Sequence, residues 1–271
     1  MDFIRNAIAA NCRLDGQDLD AQPKLSVELN VSAVAHGSCR VTLGDTVVIT
    51  TVTFTVSTPT KALPDEGILE ITLGSPFTLE DTEIADKRDE RMEDTLESLQ
   101  FQRHNFDKRL LCILPSQFVW TLKIHSTLLQ RGGSPVDAIS IAMLVALRTA
   151  RIPNIDVIMR DEMERSKHGT NVRVRIAEGY NIDMNKLALQ LPVCVTVAKI
   201  AGCHVWGVTK EEEACADGFL TVAVGPEGKC MGMRVTGSSF ALPVIGELTV
   251  KSCRMGLLYH QQVMQTLCES A

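Results

Sequence analysis

Residues 138–147 read AISIAMLVAL, a run in which Ser140 is the single polar side chain. Wound into a helix, such a run is apolar on every face, and a helix of that kind belongs inside a protein. Gly132, Gly133 and Pro135 punctuate its start, and Asp137 stands where a carboxylate can cap the first turn. Pro153 forbids continuation and biases Ile152 away from helix, so the expected helix covers 138–151. A glycine-rich loop feeding a buried helix is also a way to present backbone N–H groups to a phosphate. The sequence therefore asks whether this helix start holds one.

The segments before it predict a sheet. Residues 2–11 suit a short helix, and 25–31 and 39–43 alternate as strands do. Gly44-Asp45 is a two-residue hairpin connection, and 46–56 is a long run of Val, Ile, Thr and Phe. Proline and glycine at 59–67 break it before another strand over 68–73, so this half is expected to be a β-meander. From Glu80 the character changes: residues 83–100 are charged, with Ile84, Met92, Leu96 and Leu99 at helical spacing. Strands follow over 110–114 and 118–129. Beyond Pro153, strands are expected over 155–159 and 172–176, separated by a polar loop over 160–170. Hairpins over 191–208 and 220–235 come next, then a closing helix over 243–267. Thr209 to Glu212 matches a capping box. Two halves, each of hairpins followed by a helix, make an α+β pseudo-repeat joined at about 153–190.

Composition narrows the function classes. A net charge of −6 argues against coating nucleic acid by global attraction, so any RNA contact must come from a local patch. Nine scattered cysteines without a C-x-x-C fit reduced thiols rather than a disulfide framework or a zinc ribbon. The opening MDFIRNAIAANC lacks a long apolar core, and no apolar run reaches the ~18 residues of a membrane span. The expectation is a soluble intracellular protein with no membrane partner.

The run GGSPVDAISIAMLVALRTARIP, then LPVCVTVAKI, HVWGVTKEEEAC and the Met-rich strand after Gly228, carry a resemblance to the RNase PH family. Arg13-Leu14-Asp15-Gly16 and Leu43-Gly44-Asp45-Thr46 fit the family's opening, so the resemblance spans roughly residues 12–260. It implies an RNase PH-like fold (ribosomal protein S5 domain 2-like). An N-terminal half over 1–153, a connecting segment over 154–190 and a C-terminal half over 191–271 would compose it. It also implies a six-membered ring with other RNase PH-like subunits of the RNA exosome, one of them a tight heterodimer partner. Cap subunits with RNA-binding domains and RNA threaded through the pore complete that picture. The expected setting is 3′→5′ RNA processing and degradation, including rRNA processing and mRNA decay, in nucleus, nucleolus and cytoplasm.

Active members of the family use phosphate to attack the last RNA linkage, which takes a cradle of N–H groups with an Arg and a pair of acids. Here the loop reads Gly133-Ser134-Pro135-Val136-Asp137. No Arg follows Gly132, Pro135 removes a donor, and the Asp137 carboxylate is expected to cap its own helix in place of an anion. A like-charge contact at ~4 Å and an effective dielectric constant near 20 costs about 4 kcal/mol. The acids of active relatives fall at Gly207 and Glu213, and Gly207 has no side chain. Glu211, Glu212 and Glu213 are expected as an exposed, capped helix start. The basic candidates are Lys87, Arg88 and Arg91, able to share one helix face and contact RNA phosphates, with Arg103, His104, Lys108 and Arg109 downstream. Against that stands a solvated face neutralised by Asp86, Asp89, Glu90 and Glu93. His and Cys show no metal-ligand spacing, no cofactor is expected, and Met231, Met233, Met255 and Met264 are expected to fill core. The sum predicts a non-catalytic ring subunit; the alternative is an active phosphate-dependent 3′→5′ exoribonuclease, alone or completing a partner's site.

Overall fold

The computed structural model describes residues 2–74, 82–159, 172–183 and 188–269; the polar loop expected over 160–170 lies outside them. In order come α1 (Asp2–Ala9), β1 (Leu25–Leu29), β2 (Gly37–Leu43), β3 (Thr46–Ser57), β4 (Ile68–Gly74) and α2 (Thr82–Gln100). A 3-10 turn (Lys108–Leu111), β5 (Cys112–Leu114), β6 (Phe118–Gln130) and α3 (Pro135–Thr149) complete the first part. Then follow β7 (Arg151–Met159), β8 (Val172–Asp183), β9 (Val193–Ile200), β10 (Cys203–Trp206), α4 (Lys210–Ala214), β11 (Gly218–Val224), β12 (Cys230–Gly237) and α5 (Leu242–Glu269). The architecture is α+β, with one sheet ordered β1-β2-β3-β6-β4, β5 paired to β6, a second ordered β10-β9-β11-β12, and a β7-β8 ribbon.

The first sheet is not a meander. Strand β6 inserts between β3 and β4, antiparallel to the one and parallel to the other. Parallel neighbours need a crossover, and α2 supplies it, packing back on β4. Alternation along a strand reports which face is buried and says nothing about which strand lies beside it. In β3 that alternation turns Val48, Val52 and Phe54 into the core.

Helix α3 is buried at every residue from 137 to 148. It packs on β2, β3 and β6 of the first sheet and on β9 of the second. It ends at Thr149, two residues short of the expected stop, with Ala150 extended. Pro153 lies inside β7 at a shift of register, where a missing N–H is tolerated. One apolar cluster runs unbroken from Cys39 to Val263 through α3, both larger sheets and α5. Each Leu, Ile or Val fully buried there contributes roughly 1.5–3 kcal/mol. Of the four methionines expected to fill core, only Met255 is buried, while Met233 and Met264 are exposed. Met233 lies on the edge strand β12. All nine cysteines carry free thiols. No helix among the described residues is long and apolar enough to cross a membrane.

The acidic turn of α4 also departs from expectation. Its capping box is formed, with the Glu212 amide donating to Thr209 Oγ1 and the Thr209 amide donating to Glu212 Oε2. Glu212 is nevertheless buried, because Arg13 reaches it from the N-terminal segment with Nε to Oε1 at 3.0 Å and Nη2 to Oε2 at 2.9 Å. Arg13 Nη2 also donates to the Gly207 carbonyl, which fastens the chain's beginning to its second half. Replacing Arg13 with Met leaves the buried Glu212 side chain without its guanidinium partner. The expected loss is about 3–5 kcal/mol, read from denaturant unfolding at pH 7.

Candidate nucleic-acid interface

A cleft of about 770 Å³ opens at the N-terminus of α3. Helix α2 contributes Lys87, Arg88 and Arg91, the loop before α3 contributes Arg131 and Ser134, the first turn of α3 contributes Pro135 and Val136, and α4 contributes Glu213. The floor comes from Thr196, Phe219 and Thr221 of the second sheet, with Arg234 on β12. Packing thus joins the basic trio to the glycine-containing loop, two features that are far apart in sequence. Among the described residues, five cations line this cleft against one carboxylate.

The α2 acids distribute as follows. Asp89 sits 3.4 Å from Arg88, Glu93 turns away to accept from the Leu73 amide at 2.6 Å, and Glu90 is exposed. The side chain of Asp86 lies outside the described residues. The downstream basic residues lie elsewhere and pair with acids: Arg103 with Glu66, Lys108 with Glu97 and Arg109 with Asp65.

The loop's two glycines are there for close packing. A Cβ on Gly132 would meet Asp45 at 2.4 Å, and one on Gly133, at φ +126, would lie 1.9 Å from the Val208 carbonyl oxygen. Thr46 Oγ1 then pins the loop, donating to the Gly133 carbonyl at 2.6 Å and accepting from the Gly132 amide at 3.1 Å. Ser134 occupies the N-cap position in a left-handed conformation, φ 46 and ψ 52, without a side-chain cap bond. Its Oγ is buried and unpartnered.

Asp137 does not cap its helix, contrary to the sequence expectation. Both carboxylate oxygens are taken by Thr196, whose amide donates to Oδ2 at 2.9 Å and whose hydroxyl donates to Oδ1 at 2.6 Å. The reason lies in the second sheet. Strand β10 ends at Trp206, opposite Val197, which leaves the next N–H groups along that edge of β9 without a strand. Asp137 takes the Thr196 amide, and Ser140 Oγ, one turn later, takes the Cys194 amide at 2.9 Å. Gln100 Nε2 closes the seam, donating to the carbonyls of Ser140 and Pro192, both at 2.9 Å.

Burial pushes the Asp137 carboxyl up to about 7, with nearby Glu213 adding to the rise and the Thr196 hydrogen bonds opposing it. The unfolded chain releases this proton near 3.8. Between the two values the folded chain holds the extra proton, so this group's contribution is full at low pH and is lost as pH climbs towards about 7. The slope is at most about 1.4 kcal/mol per pH unit. Asp137→Asn removes the titration, so the difference in unfolding free energy between pH 5 and pH 8 should shrink in the variant. An unchanged difference would contradict this assignment.

At the two positions expected to match the family's acids, Gly207 has φ +56, and a Cβ there would sit 2.4 Å from Pro23 Cγ. Glu213 is half-buried, its Oε1 accepting from Arg131 Nη2 at 2.9 Å. Sequence reasoning missed Arg131 and Arg234. The first adjoins the glycines and was open to notice; the second lies on a strand whose spacing gives no cue. No group of three His, Cys, Asp or Glu among the described residues is placed to hold a metal.

A two-part α+β fold around one buried helix, with a basic cleft at that helix's start, is an RNase PH-like architecture. Residues 23–153 match domain 1 of the 3′ exoribonuclease family and residues 190–246 match its domain 2, and the chain belongs to this family. It is 28% identical over 239 residues to the exosome complex component Rrp42 of Methanosarcina mazei, covering 87% of this chain and 82% of that one. It is 31% identical over 240 residues to the exosome complex component RRP45A of Arabidopsis thaliana, covering 87% and 75%. Among solved structures, a chain of an archaeal exosome core superposes with a TM-score of 0.72 at 21% identity, over 97% of this chain and 95% of that chain. A chain of the Archaeoglobus fulgidus exosome with RNA bound to the active site gives 0.71 at 21% identity, over 96% of each.

Proposed function

We propose that the chain is a non-catalytic RNase PH-like subunit of an RNA exosome core ring, building the pore through which RNA is threaded for 3′→5′ processing and decay. The observation that carries the proposal is the backbone at Gly207. The family's chemistry asks for two carboxylates facing the helix start, and the wall formed by Pro23 leaves no room at Gly207 for a side chain. The remaining acid, Glu213, is tied to Arg131. Relatives named as exosome components, matched over most of both chains, support the ring assignment. In that role the neighbours are other RNase PH-like subunits, one a tight heterodimer partner, with cap subunits above. The compartments are nucleus, nucleolus and cytoplasm. Lys87, Arg88 and Arg91 contact RNA phosphates without reading sequence.

Two measurements test this. Reconstituted with its ring partners, the chain should bind RNA more weakly when Lys87 and Arg91 are both changed to Glu. The log–log salt slope should drop by about 0.7 for each phosphate that the variant no longer neutralises. Release of nucleoside diphosphates by the chain alone, dependent on added phosphate, would overturn the non-catalytic reading. Restoring an acid with Gly207→Asp should create no activity and should destabilise the fold by about 2–4 kcal/mol through overpacking and left-handed strain.

A further inference from the structure

We propose that Glu213 is a resident competitor for the inner end of the cleft: it holds Arg131 and supplies, at the start of α3, the negative charge that an incoming phosphate would otherwise bring. This rests on the reading of the cleft as a surface for RNA phosphates. Three observations converge on Glu213. Among the described residues it is the one carboxylate lining the cleft, set against five cations, and it pairs with Arg131 at 2.9 Å. The start of α3 lines the same space through Ser134, Pro135 and Val136, and Ser134, 6% exposed, has its Oγ unpartnered. A helix start attracts negative charge, and Pro135 together with the closed loop leaves little else there to satisfy it.

The rival candidate, Asp137, is disqualified by its bonds, since Thr196 occupies both oxygens. Glu213 by contrast keeps Oε2 free of any hydrogen bond. Nor does Glu213 choose its place. Its helix is fixed by the Thr209–Glu212 capping box and by the buried Arg13–Glu212 pair one residue earlier. The carboxylate is therefore delivered to the cleft by the fold, and Arg131 is engaged before any ligand arrives. RNA is confined to the outer cations on α2 and β12, and the inner seat is shut by the protein's own anion.

The full-length chain supplies the test, with inorganic phosphate as the probe, titrated calorimetrically into the unmodified protein, Glu213→Gln and Glu213→Ala. Both variants should bind phosphate at least tenfold more tightly than the unmodified chain, and Arg131→Gln added to either should abolish the gain. No gain in either variant, or a gain that survives loss of Arg131, overturns the proposal. If phosphate binding fails to rise while Lys87→Glu with Arg91→Glu still weakens RNA binding, the competitor is wrong and the cleft reading stands. If neither responds, both fall.

Discussion

The structure depends on a strand edge being finished by a helix. Strand β10 is too short to cover β9, and an uncovered N–H in a protein interior costs about as much as a lost hydrogen bond. Asp137 and Ser140, one turn apart on α3, take the amides of Thr196 and Cys194, so the helix stands in for the missing length of strand. Three residues along a helix rise about 4.5 Å, while two along a strand rise about 6.6 Å. Side-chain reach makes up the difference. Because α3 also packs against β2, β3 and β6, these bonds couple the first sheet to the second.

That coupling explains why the cleft looks as it does. A helix committed at its first turn to a neighbouring strand is not arranged around a ligand, and the tight seating of Gly132 and Gly133 belongs to the same commitment. What survives of an anion-facing helix start is its field and its basic surroundings. Lys87, Arg88 and Arg91 come to it across the fold, and Arg131 comes from the loop. The basic lining persists at a place where Gly207 has no side chain to offer.

Much of this was legible in the residues. AISIAMLVAL could only be buried, and Thr209 to Glu212 declared a capping box that the structure forms. Long strands over 46–56 and 118–129 announced themselves by β-branched content and alternation. The family resemblance brought the fold class with it. The rest was hidden for identifiable reasons. Parallel pairing of β4 with β6 is a property of the crossover rather than of either strand. Asp137 read as a cap because its partner, Thr196, lies 59 residues away and has no local signature. Glu212 read as exposed because Arg13 lies 199 residues away. Asp137 serves a distant strand instead of its own helix, and Glu212 serves a distant segment as well as its own.

The insertion of β6 between β3 and β4 has a bearing on how the chain acquires its shape. Strands β3 and β4 are made early but cannot be joined until residues 118–130 emerge, and α3, made next, has no edge to finish until residues 193–200 follow. First the β3 and β4 edges, then a largely apolar helix, are open to water and to other chains. Non-local pairing of this kind slows folding, and exposed edges and apolar surface invite aggregation while it proceeds. A nascent chain of this design therefore has most need of chaperone cover between the synthesis of α3 and that of β9.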